Sequence, residues 1–135
     1  MKYFLFLLSV SGLLFACDPD GNISAEGYLI GEWKVDNQTI YFYNDTSAMV
    51  LSKLKDGGTD TMLMYYNFQP DSLPVQLDMN VYEGKLKGMN LFGIIDRIDR
   101  DTFLMASRMG FEGQGNKYRP KNFESTKIVT YVRAK

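Results

Sequence analysis

The chain carries one cysteine, Cys17, and no histidine. Without imidazole there is no Ser-His-Asp or Cys-His nucleophile, no histidine metal site and no histidine pH switch. Carboxylates are the acid–base groups that remain, and Asp78, Asp96, Asp99 and Asp101 are the candidates. Paired carboxylates act when they face one another across a cleft. Here Asp99 and Asp101 share a charged stretch with Arg97 and Arg100, the pattern of a solvated turn. Asp78 follows the apolar Leu77, so strand alternation turns it away from that neighbour's face. Asp18-Pro19-Asp20-Gly21-Asn22 begins like a calcium loop but lacks the later ligands and the closing acid. The glycines at 110, 113 and 115 lack the lysine and the strand-loop-helix setting of a phosphate loop. The sequence therefore points away from an enzyme, with no metal and no cofactor, and its chemistry gathers at Cys17.

Met1-Lys2 supplies a short basic start, and an almost unbroken apolar run extends from Tyr3 to Phe15. A helix needs about 20 apolar residues to span a bilayer. The run is shorter and fits the apolar region of a secretory signal. It ends in Leu13-Leu14-Phe15-Ala16-Cys17, with a small residue before the cysteine. That order resembles a bacterial lipobox. The resemblance implies diacylglycerol on the Cys17 sulfur, cleavage after residue 16, and a fatty acyl group such as palmitate on the new amine. One acyl chain holds a membrane reversibly and several hold it stably. An ordinary signal with an incidental cysteine, or an uncleaved N-terminal helix, are the alternatives. Residues 1–16 thus read as a lipoprotein signal peptide, 17–27 as a polar tether with Pro and Gly, and 28–135 as one domain. The expected location is the bacterial cell envelope, on the outer membrane or a periplasmic face.

Charge bounds the partners. The formal net charge is −1, with lysine and arginine scattered, so nucleic acid is not an expected partner. With Cys17 acylated no disulfide can form, and packing alone must hold the domain. Nine tyrosines, nine phenylalanines and eight methionines supply the apolar material.

From residue 31 onward the chain reads as strand after strand. Segments at 31–35, 39–43, 46–55, 59–68, 73–79, 89–98, 102–108 and 125–133 are rich in β-branched and aromatic residues or alternate at period two. Asp56-Gly57-Gly58 is a hairpin turn, and Pro74 belongs at a strand start or edge. Residues 109–122 read as either a lid over one end of the fold or a helical turn with loops. No stretch carries a helical period. About eight strands at this spacing predict an all-β sandwich or barrel.

Several pieces in order are similar to a bacterial lipocalin-like domain of the planctomycete type. They are Gly31-Glu32-Trp33-Lys34-Val35, Pro74-Val75-Gln76-Leu77-Asp78, Gly93-Ile94-Ile95, Asp101-Thr102-Phe103, Arg119-Pro120 with Phe123, and a last strand ending at Arg133. The likeness covers residues 28–135, and the Met- and Tyr-rich hairpin at 50–68 departs from it. It implies an eight-stranded antiparallel up-and-down barrel, closed so that no edge is exposed. It also implies that Trp33 lies across one barrel end beneath Arg133. Arg133 as a solvated terminal residue is the alternative.

Met62, Met64, Tyr66, Phe68, Phe92, Phe103 and Met105 fall at alternating strand positions. They are the candidate lining of an apolar pocket for a small hydrophobic ligand. Core packing is the competing explanation. The expected function is a membrane-anchored, lipocalin-like binding or accessory module. The alternative is a filled barrel that works through its outer surface as an inhibitor, immunity or assembly factor, with an aromatic patch around Tyr41, Tyr43 and Tyr65. Asn22-Ile23-Ser24, Asn37-Gln38-Thr39 and Asn44-Asp45-Thr46 match N-glycosylation acceptors. Asp60-Thr61-Met62 and Asp71-Ser72-Leu73 resemble a bacterial O-glycosylation motif.

Overall fold

A computed structural model describes residues 27–124 and 127–135. Cys17, the signal segment and the tether up to residue 26 lie outside the described residues. Eight strands follow one another: β1 (Gly31–Val35), β2 (Gln38–Phe42), β3 (Ser47–Lys53), β4 (Thr59–Gln69), β5 (Val75–Glu83), β6 (Met89–Arg97), β7 (Thr102–Phe111) and β8 (Ile128–Arg133). They form a closed antiparallel barrel in sequence order. One helical turn, α1 (Gly115–Tyr118), sits between β7 and β8.

Alternation decides what goes inside. Ile40 and Phe42 on β2, Ala48 and Val50 on β3, Leu77, Met79 and Val81 on β5, and Phe103 and Met105 on β7 are all buried in one core. Their chain neighbours face outward, as a pleated strand requires. The β4–β5 ladder shifts register between Leu63 and Met64, so Tyr82 has no residue opposite it. The β1–β8 seam that closes the ring is short, with only Trp33↔Arg133 and Lys34↔Val132 paired.

An up-and-down barrel has two unlike ends. At one end lie the β2–β3, β4–β5 and β6–β7 turns together with Tyr28 and Leu29, 2% and 0% exposed. At the other lie the β1–β2, β3–β4 and β5–β6 turns and the long connection after β7. The first end is plugged. Trp33 is fully buried and its Nε1 donates to the Leu29 carbonyl at 2.7 Å. Arg133 stands over the indole, its Cζ 4.2 Å from the ring centroid. Its Nη1 donates to the Ile30 carbonyl at 2.8 Å and its Nη2 to the Tyr28 carbonyl at 2.7 Å. The Tyr28 ring lies under the Arg97 guanidinium at 4.3 Å, and its hydroxyl is shared between the Asp99 and Thr102 carbonyls at 2.8 and 2.9 Å.

Two expectations are corrected here. The seventh strand does not stop at 108 but runs to Phe111. Of the two readings for residues 109–122, the helical turn is the one observed, and it packs on the outer wall instead of over an opening. Phe92, expected in a pocket, is buried on the outside beneath this strap: a Cβ on Gly115 would lie 3.0 Å from its ring. The reason is Gly93. A Cβ there would come within 2.4 Å of Met105 Cε and 2.8 Å of the Leu77 carbonyl, so only glycine fits the inward position. With Gly93 inside, Phe92 must point out. Arg119 Nη2 fastens the strap by donating to Asp78 Oδ2.

Candidate functional site

The plugged half of the barrel is packed with rings. Tyr131 stacks on Phe103 at 4.7 Å and 7°, and Phe103 meets Trp33 edge-on at 4.7 Å and 72°. Phe42 and Tyr66 make a second edge-on pair at 5.1 Å, and the Tyr66 hydroxyl donates to the Tyr43 carbonyl at 2.6 Å. The other half is not filled. Above this aromatic floor is a cavity of about 250 Å³.

Its wall comes from seven strands and one turn. Ile40, Val50 and Tyr131 form one side. Met62, Met64, Met79, Val81, Met89, Leu91 and Met109 form the other. Leu86, from the turn between β5 and β6, overhangs the mouth and is 39% exposed. Gln38 and Asn90 are its polar members. Gln38 Nε2 donates to Ser52 Oγ at 3.1 Å, and Asn90 Oδ1 accepts from Asn80 Nδ2.

Among the described residues, no carboxylate, lysine or arginine lines this cavity. The titratable group among these lining residues is Tyr131, which burial pushes up to about 12 from 10.0, so the phenol is neutral at ordinary pH. Tyr28 in the plug is also raised to about 12, by burial that outweighs the opposing pull of Arg97 and Arg133. The cavity can therefore hold an uncharged apolar body with a polar contact from Gln38 at the mouth. Among the described residues no three His, Cys, Asp or Glu side chains gather as a metal site would require.

The seven expected lining residues separate into four places. Met62 and Met64 line the cavity. Tyr66, Phe103 and Met105 lie in the packed core beneath it. Phe68 borders a smaller hollow of about 160 Å³ at the plugged end, with Tyr28, Val75, Ile95 and Arg97. Phe92 is outside the barrel. The structure adds Met79, Val81, Met89, Leu91 and Met109 to the lining. The period-two run through Val75, Leu77 and Met79 reaches Val81 if it is followed two residues further. The run from Phe103 through Met105 likewise reaches Met109. Those continuations were the usable signals.

On the outer face a second feature stands out. Tyr41, Met49 and Leu63 lie side by side across β2, β3 and β4. Beside them Tyr65, 55% exposed, stacks on Tyr82 at 4.4 Å.

No family model, no curated protein and no solved structure matches the chain.

Proposed function

We propose that this chain is a lipid-anchored, lipocalin-like barrel of the bacterial cell envelope that binds a small apolar ligand. The observation that carries the reading is the half-filled barrel: a cavity of about 250 Å³, uncharged throughout, above an aromatic floor. A protein that needed only a stable core would fill this space, because each void forfeits contacts. The anchored part of the proposal rests on the apolar run before Cys17 and on Ala16-Cys17. Native mass spectrometry of the full chain, released gently from detergent, tests the ligand. A reproducible mass increment that disappears on denaturation supports it, and a bare chain from several preparations overturns it. Incorporation of labelled palmitate, lost in Cys17→Ser, tests the anchor.

The outer row of Tyr41, Met49 and Leu63 with Tyr65 favours a second reading, a docking face for a protein partner. Interface centres are rich in Tyr and Met and poor in charge. A Tyr41→Lys, Tyr65→Lys double variant that keeps ligand binding but loses the wild-type phenotype would favour it. A variant indistinguishable from wild type would remove it.

A further inference from the structure

Five of the eight methionines in the chain line this one cavity: Met62, Met64, Met79, Met89 and Met109. They come from four consecutive strands, β4 to β7. Met62 and Met64 are two apart on β4, and Met79, opposite Tyr66, sits two residue pairs along the β4–β5 ladder from Met64. Met109 pairs with Leu91, which leaves Met89 diagonally beside it on β6. One side of the cavity is therefore a thioether wall. The facing side is branched aliphatic, from Ile40 and Val50, with the Tyr131 ring below.

A cavity meant only for a saturated chain has no use for that asymmetry. Leucine, isoleucine and valine fill space with fewer rotamers to freeze, and methionine specifies a shape poorly. What methionine adds is a polarisable sulfur that packs favourably on the edges and faces of aromatic rings. Size points the same way. An apolar cavity of about 150 Å³ holds one benzene ring. The roughly 250 Å³ here has room for two fused rings. Among the described residues the lining carries no charged side chain, which favours a neutral ligand, and Gln38 at the mouth can meet one polar substituent.

We infer that the ligand is a small neutral aromatic compound of about two-ring size, selected over aliphatic compounds of the same shape by the methionine wall. This rests on the proposal that the cavity binds a ligand at all. The probes are β-naphthol and its saturated analogue decahydro-β-naphthol, which share a skeleton and a hydroxyl and differ in aromaticity. Titration calorimetry on the full chain against a matched detergent blank compares them. The same pair is then measured on a Met64→Leu, Met79→Leu, Met89→Leu, Met109→Leu variant, whose substitutions conserve volume and keep an apolar lining. The expected result is about tenfold tighter binding of β-naphthol, consistent with two or three sulfur–ring contacts. The leucine variant should lose that preference yet bind the saturated compound as before. Equal binding of the two by the wild type, or a preference that survives in the leucine variant, overturns the inference and leaves an apolar pocket standing. Binding of neither probe by a folded protein overturns the pocket and the inference together.

Discussion

Removing the Arg133 side chain should seriously weaken the plugged end. In Arg133→Ala the Tyr28 carbonyl loses its donor at 2.7 Å and the Ile30 carbonyl loses one at 2.8 Å. Ile30 is 41% exposed, so water can replace the second bond, whereas Tyr28 is 2% exposed and its oxygen is stranded. A hydrogen bond to a charged donor contributes about 1.5–3 kcal/mol. The guanidinium over Trp33 adds about 0.5–2 kcal/mol. The ion pair with Asp101, 3.4 Å long with the carboxylate half exposed, adds little. These terms overlap, and the expected loss is about 3 kcal/mol. Urea unfolding followed by Trp33 fluorescence measures it, with the midpoint moved and the slope unchanged. For a domain of this size the melting temperature should fall by roughly 10–20 °C. Arg133→Lys keeps the charge but not the planar fork, and should recover about half of the loss. A loss below about 1 kcal/mol for Arg133→Ala would refute the reasoning, because the residue would then be an ordinary solvated side chain.

Gly93→Ala should destabilise by about 1–3 kcal/mol through overpacking against Met105 and the Leu77 carbonyl; adding Met105→Val should restore only part of this in chemical denaturation, because the carbonyl cannot move away. Asp78→Asn should loosen the strap without opening the barrel. Hydrogen exchange should then quicken over residues 115–119 while the β5 and β6 amides stay protected. Alkali should weaken the fold through Tyr131. Its folded-state pKa of about 12 exceeds the unfolded value of 10.0, so the folded chain keeps a proton that the unfolded chain releases. That stability is fully present below pH 10 and is lost as pH climbs towards 12, to a total of roughly 2–3 kcal/mol. Stability curves across this range test it, and a Tyr131→Phe variant should show a shallower decline.

Strand alternation made most of the barrel legible. Met62, Met64, Tyr66 and Phe68 share the inward face of β4 as their spacing requires. The meeting of Trp33 with Arg133 across the seam came from the family likeness, not from alternation. The failures have physical causes. In β6, Phe92, Ile94 and Ile95 are all buried, because the strap covers the strand from outside while the core covers it from within. A strand apolar on both faces carries no phase, and only the crowding at Gly93 fixes which side is in. The cavity itself was less legible still. Whether opposed side chains meet or leave a gap depends on the diameter of a closed ring, and no local pattern encodes that. Met109 opens the glycine-rich stretch 109–122, which reads as a lid or a helical turn with loops, yet β7 continues past it.

The short seam between β1 and β8 also bears on timing. Arg133 reaches back 105 residues in sequence to the Tyr28 carbonyl, so the plug joins nearly the two extremes of the domain. Without that contact the other seven strands would make an open sheet with β1 and β7 as unpaired edges and the Trp33 ring uncovered. Contacts so distant in sequence form slowly. Closure of the ring therefore waits on the eighth strand, and the tryptophan near one extreme of the domain is covered only when the arginine near the other arrives.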